Sequence, residues 1–162
     1  MYNFIKITAR ILLGDDMKKT LVIGTGNELF GYDSVGLNIL KKLSDYNLPE
    51  NIETLYIGTN CFYLTKEVDE YERIIVIDAI ITSGEIGNLY YIPADKLQLQ
   101  NRPLSIHDIT WLEILKILGV LHKTYVFAIE INTLKPGLKL TPVLKKKLNF
   151  YTEKLYNLII SD

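Results

Sequence analysis

The stretch Thr20-Leu21-Val22-Ile23-Gly24-Thr25-Gly26-Asn27-Glu28-Leu29-Phe30-Gly31-Tyr32-Asp33-Ser34-Val35-Gly36 decides the fold. It opens on a short apolar run, of the length of a buried strand rather than a helix. Gly24 and Gly26 then allow a tight turn, and a helical pattern is predicted from Asp33 to Asn47. Strand, tight turn and helix in that order form the opening unit of an α/β domain with a mostly parallel sheet.

Outward from this unit the same alternation repeats along the chain. Strands are predicted at Thr20 to Gly24, Ile52 to Ile57, Arg73 to Asp78, Gly87 to Ile92 and Thr124 to Glu130. Helices are predicted from Asp33 to Asn47, around Cys61 to Val68, from Asp108 to Leu118 and from Thr141 to Ile160. The link Ile80-Ile81-Thr82-Ser83-Gly84-Glu85 is too short for a crossover helix, so the fourth strand is expected to pair antiparallel or to lie at an edge. In the last helix Leu144, Leu148, Tyr151, Leu155, Leu158 and Ile159 recur at three- and four-residue steps, and Pro142 fits the first turn behind a Thr141 N-cap. The expected architecture is a single three-layer αβα domain over residues 17–162, with a five-stranded, mostly parallel sheet and one antiparallel edge strand. Residues 1–16 match no element and are read as an upstream extension or flexible arm before Met17.

At 162 residues there is material for one core, and a hydrophobic content of 48% with 23% charged residues excludes disorder. Eighteen Lys and Arg against 19 Asp and Glu leave a formal net charge of -1, which argues against a nucleic-acid partner. No apolar run approaches the ~20 residues of a membrane span. The lone Cys61 can form no internal disulfide and there is no zinc-type cysteine cluster, so a reducing, cytoplasmic location is expected. Lys145-Lys146-Lys147 reads as a solvated helix face.

In an open parallel sheet ligands bind beyond the carboxyl ends of the strands, so chemistry is sought there. The first loop lacks the third glycine of a dinucleotide fingerprint, since Leu29 stands in its place, and strand two ends in Gly58-Thr59-Asn60 without an acidic residue. No Gly-Lys-Ser/Thr follows the turn, which excludes a P-loop. Three residues remain. Asp33 falls at the start of a helix, where the simplest role is an N-cap or first-turn acid. Asp78 ends the otherwise apolar strand Ile74-Ile75-Val76-Ile77, where a charge needs a hydrogen-bonded, paired or metal-bound environment. His107 precedes the third long helix, at the carboxyl edge, whereas His122 belongs to the opposite edge. Two carboxylates and one imidazole on a single rim compose a three-ligand metal site with an open position, and as single residues each also has a purely structural reading. Tyr32, Phe62 and Tyr63 near this rim are candidates for an apolar groove.

The residues Gly24-Thr25-Gly26-Asn27-Glu28-Leu29 with Asp33 and Gly36, then Gly58-Thr59, Ile77-Asp78-Ala79, His107 and Gly137-Leu138-Lys139-Leu140-Thr141-Pro142 resemble the hydrogenase maturation proteases. Two departures stand out: Tyr32 occupies a position often acidic in the family, and Ile129-Glu130-Ile131 replaces its usual glycine-containing stretch.

The resemblance implies an endopeptidase of aspartate/metal type that removes the C-terminal extension of a nickel-iron hydrogenase large-subunit precursor after nickel insertion. It implies Asp33, Asp78 and His107 as both catalytic and metal-binding residues. It further implies nickel as the cofactor, carried by the substrate, with zinc and cadmium as stand-ins. Two rivals share the rim: a cysteine hydrolase using Cys61 and His107, and a non-enzymatic metal or small-molecule binding module.

Overall fold

The computed structural model describes residues 18–97, 110–132, 137 and 139–161. The readings of residues 1–16, Asp108 and His107 fall outside them.

Five strands form one sheet: β1 (Thr20–Thr25), β2 (Ile52–Gly58), β3 (Arg73–Ile80), β4 (Leu89–Pro93) and β5 (Thr124–Glu130). Their order across the sheet is β2-β1-β3-β5-β4. The pairs β1 with β2, β1 with β3 and β3 with β5 are parallel, and β4 runs antiparallel to β5 at the edge. The expected mixed sheet and its antiparallel edge strand are therefore observed.

Among the described residues three helices flank the sheet: α1 (Val35–Leu43), α2 (Trp111–Ile117) and α3 (Pro142–Ile160). Successive strand residues point to opposite faces, and both faces of the central strands are apolar, so each finds a cover. Val22, Ile75, Ile77, Phe127 and Ile129 meet α1 and α3 through Ile39, Leu43, Leu144, Tyr151 and Leu155. Leu21, Ile23, Ile74 and Val76 meet Leu115 of α2 together with Cys61, Leu64 and Val68. A smaller cluster of Ala94, Leu112, Val126 and Ala128 closes the β4 end. The result is the expected three-layer αβα arrangement.

Local chemistry sets the helix ends. The Thr141 hydroxyl accepts the Leu144 N–H with Pro142 in the first turn, as the sequence predicts. Helix α2 starts later than expected, at Trp111, because Thr110 and Glu113 form a reciprocal capping box. Helix α1 begins at Val35 behind Ser34 and stops at Leu43, short of the predicted Asn47. The predicted helix around Cys61 to Val68 is instead two 3₁₀ turns, Cys61–Tyr63 and Lys66–Glu70. Extended backbone at Leu64 and Thr65 separates them and lets Leu64 and Val68 both reach the sheet. The strand predicted from Gly87 begins at Leu89, since Gly87 has a positive φ of 83° and its N–H donates to the Glu130 carbonyl in the preceding turn. Strand β3 runs two residues past Asp78, to Ile80.

Candidate functional site

From β1 the chain passes through α1 to β2 on one side, whereas β3 lies on the other side of β1. The carboxyl ends of β1 and β3 thus flank the point where the winding direction reverses, where open α/β sheets form their ligand crevice. A cavity of about 270 Å³ opens there, and its walls include Thr25, Asp33, Cys61, Asp78, Thr110 and Trp111.

Asp33 reaches this cavity through a tightly folded loop. Its Oδ2 accepts the Asn27 N–H at 2.7 Å, and Asn27 Oδ1 in turn accepts the Leu29 N–H at 2.9 Å. Gly26 has a φ of 116°, and a Cβ there would lie 1.9 Å from the Asp33 carbonyl oxygen, so only glycine fits. Asp33 is therefore no helix cap: Ser34 holds the N-cap position, and the Asp33 carboxylate ties the loop back on itself. Gly36 performs a second close approach. A Cβ on it would stand 2.6 Å from the Thr25 carbonyl oxygen and 2.8 Å from that of Ile77, so its absence lets α1 rest on the ends of β1 and β3.

Asp78 projects from the middle of the sheet. Its Oδ1 accepts the Ala79 N–H at 2.9 Å and its Oδ2 accepts the Trp111 indole N–H at 2.7 Å. The Thr25 hydroxyl donates to the Ile77 carbonyl at 3.0 Å and lies beside the same carboxylate. Burial pushes the Asp78 carboxyl up to about 6, opposed by the donors Trp111, Thr25 and Ala79 and reinforced by the charge of Asp33. Burial also raises Asp33, with the Asn27 N–H pulling the other way. The neighbouring Tyr56 phenol donates to the Gly26 carbonyl at 3.2 Å. It is pushed up to about 12 by burial, Glu28 and Asp33, and so stays neutral.

The structure brings together two of the three predicted site residues, Asp33 and Asp78, on one cavity. His107 lies outside the described residues, and among those residues no group of three His, Cys, Asp or Glu side chains is arranged to hold a metal ion. His122 sits in the turn before β5, at the opposite edge, with Nδ1 3.1 Å from the Gly119 carbonyl oxygen. Cys61 is buried in the cavity wall. The three aromatic residues expected to form a groove divide: Phe62 and Tyr63 are 63% and 62% exposed, whereas Tyr32 packs against the core under α1 and α3.

Two contributors escaped the sequence reading. Trp111 binds Asp78, and its signal is that the chain's single tryptophan directly follows Thr110 of the capping box, at the first turn of a helix that begins on the carboxyl edge. Glu130, buried at the end of β5, accepts the Thr82 N–H and the Thr82 hydroxyl, each at 2.6 Å, and so pins the β3–β4 link beside the rim.

An open α/β sheet with two carboxylates in a crevice at its topological switch point defines an acidic-cleft α/β protein. Residues 37–158 match the family model described as hydrogenase maturation protease. The chain belongs to the hydrogenase maturation protease family. A hydrogenase maturation protease of Methanocaldococcus jannaschii is 36% identical over 102 residues, covering 61% of this chain and 66% of that protein. The hydrogenase expression/formation protein HupD of Rhizobium leguminosarum bv. viciae is 30% identical over 100 residues, covering 60% of this chain and 50% of its own length. The match thus spans between half and two thirds of these relatives. In fold, the chain is similar to the [NiFe] hydrogenase maturation protease HycI of Thermococcus kodakarensis KOD1, with a TM-score of 0.73 at 14% identity over 91% of this chain and 96% of that one. It is also similar to the maturating endopeptidase HybD of E. coli, with a TM-score of 0.70 at 21% identity over 88% of this chain and 93% of that one.

Proposed function

We propose that this protein is an endopeptidase that removes the C-terminal extension of a nickel-iron hydrogenase large-subunit precursor once nickel has been inserted. The observation that carries the reading is the convergence of Asp33 and Asp78 on one crevice in a chain of this family. The donor set suits a divalent ion. Both groups are hard oxygen donors, and the hydrogen bonds of Ala79, Trp111 and Thr25 on Asp78 still leave an acceptor direction unused out of the roughly four a carboxylate offers.

In this reading the ion arrives as part of the substrate, and Asp33, Asp78 and His107 grasp it only when loading is complete. Bound there, a divalent ion would supply Lewis-acid polarisation of the scissile carbonyl. The chain's own residues orient and recognise. The Asn27 N–H holds Asp33 at the rim, and Ala79 and Trp111 hold Asp78 in place. With its carboxyl near 6, Asp78 is predominantly ionised above that pH and available to a cation.

The test is incubation with large-subunit precursor, with and without nickel, followed by mass spectrometry of the products. Cleavage of the loaded precursor alone is expected. Equal cleavage of both forms, with Asp78→Asn and His107→Ala fully active, would refute the nickel-conditional reading.

A further inference from the structure

The hydrogen bond from Trp111 to Asp78 joins the first residue of α2 to the end of β3, and it reaches one of the two carboxylates on which the proposed ion site depends. The indole is partly buried and packs against apolar clusters on the second face of the sheet, touching those of Leu115 and of Leu112, so the ring has little freedom to swing away. The Ala79 N–H holds the other oxygen of the same carboxylate. With one donor fixed by the strand's own backbone and the other by a packed ring, the carboxylate plane is held from two directions.

We propose that Trp111 is a positioning residue: its indole N–H holds the Asp78 carboxylate in the orientation that receives a divalent cation in the cavity. Outer partners of this kind orient a ligand and typically account for 10- to 100-fold in metal affinity. The inference rests on reading Asp78 as an ion-holding group. Trp111 is the only tryptophan in the chain, so tryptophan emission reports the surroundings of this one indole. A cation drawing charge from Asp78 changes the field at the indole directly, because a bound divalent ion is the largest local charge in such a site.

The experiment uses the full chain and Zn²⁺ alone, a closed-shell ion that does not quench by paramagnetism. Calorimetry measures binding to the wild type, Trp111→Phe and Asp78→Asn, and tryptophan emission is followed in the wild type and Asp78→Asn. The expected result is a saturable emission change in the wild type, absent in Asp78→Asn, with Zn²⁺ affinity at least about tenfold weaker in Trp111→Phe. If Zn²⁺ binds the wild type and is lost in Asp78→Asn, but emission stays constant and Trp111→Phe binds equally well, the role of Trp111 is overturned and the ion site stands. If Zn²⁺ fails to bind the wild type, or binds Asp78→Asn equally well, the ion-site reading fails and the positioning role falls with it. Should Trp111→Phe not fold, the emission comparison between wild type and Asp78→Asn decides by itself: a change confined to the wild type supports the proposal, and a constant emission overturns it.

Discussion

Trp111 Nε1 and Asp78 Oδ2 lie 33 residues apart in sequence and 2.7 Å apart in space. This bond crosses from a helix start to the central strand and gives a half-buried carboxylate a donor where desolvation alone would disfavour its charge. The balance still falls on the side of burial, since the carboxyl is pushed up to about 6.

That imbalance makes stability depend on pH in a definite direction. Below about pH 4 the folded and unfolded chains both hold the Asp78 proton. Between about pH 4 and pH 6 the unfolded chain releases it first, so stability falls as pH rises, and above this window the full penalty remains. The rise from 3.8 to about 6 corresponds to roughly 3 kcal/mol at about 1.36 kcal/mol per pKa unit. Asp78→Asn never ionises, so thermal melting should show its stability relative to the wild type increasing from about pH 4 to about pH 6 and levelling off above. A difference that stays flat over that range would contradict the assignment.

Gly36→Ala should destabilise the fold by about 2–3 kcal/mol, the range of an overpacked core. The added carbon would meet two strand carbonyl oxygens, at 2.6 and 2.8 Å, and neither can retreat without breaking the sheet. Chemical denaturation provides the measurement, and an unchanged midpoint would show that α1 does not rest on the ends of β1 and β3 as described.

Glu130→Ala should cost about 2 kcal/mol, because hydrogen bonds to a charged group are worth roughly 1.5–3 kcal/mol each and the exposed Thr82 can recover part of that from water. The loosening should be local. Hydrogen exchange at the Thr82 amide is expected to accelerate more than at the buried amides of β3, and uniform acceleration would place Glu130 in the general core instead.

Cys61→Ser should retain most cleavage of a nickel-loaded precursor. The thiol is buried in the wall of the cavity at the start of a 3₁₀ turn, where packing accounts for it. Near-complete loss of activity with an intact fold would transfer the chemistry to a thiol nucleophile.

The sequence by itself determined the strand positions, the antiparallel edge strand β4, the Thr141 cap and the placement of Asp33 and Asp78 on the carboxyl edge. All of these follow from short-range facts: the period of apolar residues, the length of a link and the direction of the chain. Only the tertiary structure decided what those carboxylates touch. Asp33 bonds to Asn27 rather than capping α1, Asp78 meets Trp111, and Glu130 reaches Thr82 across 48 residues. The segment after β2 likewise became two turns rather than a helix because Leu64 and Val68 both had to pack on the sheet. Partners so far apart are set by the lateral order β2-β1-β3-β5-β4, and hydrophobic period records which face of a strand is buried without recording which strand lies beside it.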